Sequence, residues 1–101
     1  VKEKCILAKI TMAFQVIPKV EESRIYPVVD EAIKVVAQSG LPYEVGPMET
    51  ALEGEPDEIW QVIKDAMEAC IKAGASRVMT NVKIDYVPQG STINEKIAKY
   101  R

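Results

Sequence analysis

The chain predicts an α+β fold in the order strand, helix, strand, strand, helix, strand, on three observations. Two short strand-like runs flank Gly46-Pro47 as a hairpin between two helical segments. Each helical segment repeats apolar residues at helical spacing and ends at a glycine. Longer runs in which alternate residues are apolar lie toward both ends of the sequence.

The first strand is expected over residues 5–17, where Ile6, Ala8, Ile10, Met12, Phe14 and Val16 alternate with Leu7, Lys9, Thr11, Ala13 and Gln15. Pro18 ends it, and a polar linker follows from Lys19 to Arg24. A helix is expected from about Arg24 to Ser39, with Pro27 in its first turn and Val29, Ala32, Ile33 and Val36 as its apolar face. Gly40 is its stop. The hairpin spans residues 41–53, and Pro56-Asp57-Glu58 opens the second helix, where proline and acidic residues suit unpaired N–H groups. Ile59, Ile63, Ala66 and Cys70 form that helix's core face, and Gly74 ends it. The fourth strand is expected over residues 77–87, alternating Val78, Thr80, Val82 and Ile84 with Met79, Asn81, Lys83 and Asp85. After the turn at Pro88-Gln89-Gly90, Thr92 and Glu95 form a capping-box pattern for a short terminal helix over residues 93–100.

This order is the split βαβ, or ferredoxin-like, arrangement, expected as one domain over residues 1–101. Right-handed crossovers put both main helices on one face of a four-stranded antiparallel sheet. The first and third strands are then central, and the opposite face is bare in a monomer. Alternation assigns Lys9, Thr11, Ala13 and Gln15 to that open face, with Met79, Asn81, Lys83 and Asp85. From the hairpin it receives Glu44, Gly46, Glu49, Ala51 and Glu53. The face taken by Thr50 stays open, because a bulge near Gly46-Pro47 would flip the register.

Composition excludes several functions. The formal net charge is −2 and about half the residues are apolar, so the chain has no basic footprint for nucleic acid or anionic membranes. No apolar run reaches transmembrane length, and the start reads into a strand rather than a signal peptide, so the expected address is the cytoplasm. The sequence has no histidine, which removes His-based metal sites and Ser-His or Cys-His catalytic pairs. Its two cysteines, Cys5 and Cys70, form no CxxC pair, and Cys70 reads as a buried structural thiol. Neither catalytic residues, metal ligands nor a cofactor are expected.

Other roles of this architecture fail residue by residue. RNA recognition needs aromatic platforms on the central strands, yet Phe14 falls on the helix side and residues 48–52 contain no aromatic. A copper chaperone needs paired thiolates in the first loop, and residues 19–24 have none. An acylphosphatase needs a glycine-containing phosphate loop, and the loop bearing Arg24 lacks glycine. Trp60 reads as a packing residue at a helix edge. Glu49 and Glu53 would stand roughly 13 Å apart along one strand face, too far to act together as a catalytic pair.

An ordered set of segments resembles the small YkoF-like thiamine-binding family. The set comprises Val16-Ile17-Pro18, Asp30-Glu31-Ala32-Ile33, Ser39-Gly40-Leu41, Glu44-Val45-Gly46-Pro47, Thr50, Glu53-Gly54-Glu55 and Ile84-Asp85. The resemblance implies a ferredoxin-like fold that assembles into homodimers or homotetramers. It also implies reversible, non-catalytic binding of thiamine or its hydroxymethylpyrimidine moiety. The chain departs from the family pattern at Ala51, where a second threonine is frequent, and at Asn81, where some members have aspartate.

The expected ligand-binding residues are Gln15, Tyr43, Met48, Glu49, Thr50, Glu53 and Asn81. Glu49 or Glu53 would supply counter-charge to the thiazolium. Gln15, Thr50 and Asn81 would hydrogen-bond the pyrimidine edge. Met12, Met48 or Tyr43 would supply apolar walls or stacking. Lys83 repels a cation and is expected to pair with Glu49, Glu53 or a partner subunit. The competing expectation is an assembly module whose open face and edge strands bind no small molecule.

Overall fold

A computed structural model describes residues 9–90 and 92–100. Strand β1 spans Ile10–Pro18, β2 Tyr43–Val45, β3 Thr50–Gly54 and β4 Val78–Asp85. Helix α1 spans Ile25–Gln38, α2 Pro56–Lys72 and α3 Ile93–Ile97, and short 3-10 turns occupy Glu22–Arg24 and Ala98–Tyr100. The sheet order is β2-β3-β1-β4 with every pairing antiparallel, which is the expected ferredoxin-like fold with β1 and β3 central. The part of the first strand expected over residues 5–8, and with it Cys5, lies outside the described residues.

The alternation of β1 converts directly into layers. Ile10, Met12, Phe14 and Val16 are buried under the helices, joined from β3 by Leu52. Helix α2 buries Ile59, Val62, Ile63, Ala66 and Cys70, as its spacing requires. The Cys70 thiol is fully buried, and desolvation raises its pKa, so it packs as a small apolar group. At the start of α2, Glu55 and Glu58 form a capping box with Pro56 at the first helical position. Past its end, Gly74 takes a positive φ of 113°, and the Arg24 guanidinium donates to the Ala73 carbonyl at 2.7 Å. Arg24 therefore caps a helix end.

Three expectations need correction. The buried stripe of α1 is Val28, Ala32 and Val36, one residue out of step with the expected face at its start. Val29 and Ile33 lie on a second apolar stripe beside it. Met12 is completely buried on the helix side and cannot wall a site on the open face. The open face is also not bare. Helix α3 folds back onto one end of it, where Glu53 accepts the Ile93 N–H at 2.8 Å and Lys96 pairs with Asp85. Glu53 and Asp85 flank Thr11 in one cross-sheet row, so α3 covers a row of three strands. The expected capping box of Thr92 and Glu95 begins this helix.

Candidate functional site

The hairpin tip decides which side chains meet. Val45 pairs with Thr50, leaving Gly46 to Glu49 as the connecting loop, closed by a bond from the Gly46 N–H to the Glu49 carbonyl at 2.9 Å. A Cβ at residue 46 would sit 3.0 Å from that carbonyl oxygen, a close approach that glycine makes without displacing the loop. This register settles Thr50, which stands opposite Phe14 on the helix side and is 7% exposed. Ala51 and Glu53 consequently face the open side.

Two depressions flank this loop. On the helix side, a cavity of about 290 Å³ lies between α1, the end of β1 and the loop. Its walls are largely apolar, from Phe14, Val16, Val29, Ile33, Val45 and Met48, and its polar groups include Gln15, Glu49 and Thr50. On the open side, a depression of about 530 Å³ is lined by Gln15, Glu44, Met48, Glu49, Ala51 and Lys83. Gln15, Gly46, Pro47, Met48 and Glu49 border both, so the loop and Gln15 form a shared rim. A larger groove of about 570 Å³ between α1 and α2 gathers none of the expected site residues.

The structure thus brings together Gln15, Met48, Glu49 and Thr50. Asn81 stands directly across from Gln15 on β4, on the open face, but borders neither depression. Tyr43 lies opposite Leu52 on the helix-side face of the edge strand, half-exposed and away from both. Glu53 is at the far end of β3, where its carboxylate serves the first turn of α3. Lys83 pairs with Glu49 at 3.0 Å, one of the partners expected for it.

Residues on α1 complete the helix-side cavity and were not expected there: Ile25, Tyr26, Val29 and Ile33. A signal for them exists in the sequence. Ile25, Val29 and Ile33 repeat at i, i+4 and i+8, a second stripe beside Val28, Ala32 and Val36. A helix with one buried face needs only one such stripe; the second faces the cavity, and Tyr26 stays 81% exposed at its mouth. Among the described residues, no group of three or more Asp, Glu or Cys side chains is arranged to hold a metal ion.

Similarity to known proteins points the same way. A solved structure from Bacillus cereus, a domain of unknown function of the DUF77 type, superposes with a TM-score of 0.90 at 51% identity, covering 96% of this chain and 94% of that one. A Thermotoga maritima structure, provisionally described as a thiamine biosynthesis/salvage protein, gives 0.86 at 40% identity, covering 92% and 99%. A UPF0045 protein of Clostridium perfringens is 47% identical over 90 residues, which is 89% of this chain and 95% of that protein. The family model described as thiamine-binding protein matches residues 12–101, from the first core strand through the helix that closes over the sheet, and the chain belongs to that family.

Proposed function

We propose that the protein binds thiamine, or its hydroxymethylpyrimidine moiety, as a cytoplasmic homo-oligomer, without catalysing a reaction on it. The observation that carries this reading is one apolar-walled cavity beside the hairpin loop whose lining includes Gln15, Glu49 and Thr50. Thiamine presents an aminopyrimidine edge, which needs both a donor and an acceptor, and a permanently cationic thiazolium. The Gln15 amide and the Thr50 hydroxyl each offer both hydrogen-bonding senses. Glu49 offers a carboxylate at the rim, where the cation would lie. Cavities that hold small ligands combine apolar walls with a few convergent polar groups, and about 290 Å³ lies at the small end of their range.

The assembly part of the proposal is supported by the uncovered end of the open face. There Ile17 and Met79 pair across strands and are 44% and 51% exposed, an apolar pair suited to a second copy of the sheet. A free, buried thiol at Cys70 fits a reducing compartment. Among the described residues, no helix is long and apolar enough to cross a membrane.

Isothermal titration with thiamine, and in parallel with hydroxymethylpyrimidine, tests the binding reading. Saturable binding with a defined stoichiometry per chain is expected. Glu49→Ala should weaken thiamine about tenfold, the loss of roughly 1.4 kcal/mol of charge-assisted contact. An absence of heat with both compounds would leave an assembly module as the better account.

A further inference from the structure

The side chains around the loop carry more information than the presence of a carboxylate, because Glu49 already has a counter-ion. Its Oε1 lies 3.0 Å from Lys83 Nζ. Lys83 belongs to β4 at the sheet edge, and Glu49 adjoins β3, with β1 between them. Two strand spacings separate β4 from β3, about 10 Å. Lys83 spans that gap because its neighbour across the ladder is Ala13, whose other neighbour is Ala51. Two methyl groups leave the floor low enough for a lysine chain to cross.

The pair is displaceable. The Lys83 side chain is 74% exposed and that of Glu49 is 39% exposed, so the bond is solvated and of the weak surface kind. Among the described residues, Glu49 is also the only carboxylate that borders both depressions, whereas Lys83 borders the open-side one alone. A cation approaching Glu49 must therefore replace the Lys83 ammonium or share the carboxylate with it. A neutral ring seated against Gln15 and Thr50 meets no such competition.

We propose that Lys83 sets the charge preference of this site, acting as a built-in competitor that weakens the hold on cationic ligands and leaves neutral ones untouched. This rests on the reading that the cavity beside residues 46–49 takes thiamine or its pyrimidine moiety. Lys83 is a positioning and selectivity residue, since it acts through Glu49. Removing its charge frees Glu49 and removes a like charge from beside the incoming thiazolium.

The test is titration of wild type, Lys83→Met and Lys83→Arg with thiamine and with hydroxymethylpyrimidine, after the variants are shown to share the wild-type urea midpoint. Lys83→Met is expected to bind thiamine roughly three- to fivefold more tightly, the scale of one exposed ion pair. Lys83→Arg should match wild type, and all three should bind the neutral pyrimidine alike. Thiamine affinity that is unchanged or lower in Lys83→Met would overturn the proposal while leaving the binding reading intact. An equal gain for both ligands would also overturn it, because bulk rather than charge would then be the cause. If no protein of the set binds either compound, the binding reading itself fails and the selectivity role falls with it.

Discussion

Two threonine hydroxyls, Thr11 Oγ1 and Thr80 Oγ1, are buried without a hydrogen-bond partner among the described residues. Their causes differ. Thr11 lies in the row that α3 covers, between Glu53 and Asp85. Thr80 lies on the helix side of β4, facing Val16 across the ladder. An unpaired buried hydroxyl costs free energy that a methyl group of the same shape does not. Thr80→Val should therefore stabilise the fold by about 1 kcal/mol, helped by the strand preference of valine. Urea unfolding would show this as a higher midpoint at unchanged slope; a lower midpoint would mean that the hydroxyl has a partner after all. Single residues also mark how far the sequence could be read. The faces of Gln15 and Glu49 followed from alternation, whereas Thr50 waited on the register of a loop whose hydrogen bond no pattern encodes.

At the scale of elements, the informative pair is the C-terminal helix and the carboxylate beneath it. Capping chemistry predicted α3 correctly, from Thr92 and Glu95. Its docking place was not legible, because an Ile93 N–H reaching a side chain forty residues away is a tertiary event. A five-residue helix has little stability of its own, so contacts with the sheet hold it in place. Glu53→Ala should free the first turn of α3 and speed amide exchange in residues 93–97 by about tenfold, the value of one charge-assisted hydrogen bond. Unchanged protection would show that Lys96 and Asp85 suffice as the anchor. Helix α1 teaches the complementary lesson. Its apolar residues were recognised, but one expected face merged two stripes, Val28-Ala32-Val36 in the core and Ile25-Val29-Ile33 along the cavity. Periodicity finds a helix readily; dividing a broad apolar surface between core and cavity requires knowing what packs on each side.

For the molecule as a whole, the sheet has one face sealed by two helices and another sealed only at one end. The uncovered end carries Ile17 and Met79, and it leads past Lys83 and Glu49 to the loop. If a second copy seats there, Met79→Glu should shift the protein to a smaller species in sedimentation velocity at micromolar concentration. An unchanged sedimentation coefficient would put the contact elsewhere. The order of elements, the ferredoxin-like topology, the core of β1 and most of that of α2, and the Thr92–Glu95 cap were legible along the chain, because these depend on local spacing and on handedness rules. Long-range packing was needed to place α3 across the Glu53–Thr11–Asp85 row, to turn Thr50 toward the helices, and to bring Gln15, Met48, Glu49 and Thr50 to the lining of one cavity while Tyr43 and Glu53 stand apart. Each of these depends on one hairpin register and one long-range docking contact. A one-residue slip of the hairpin register exchanges the two faces of a strand, and nothing local in the sequence forbids that slip or fixes where α3 docks.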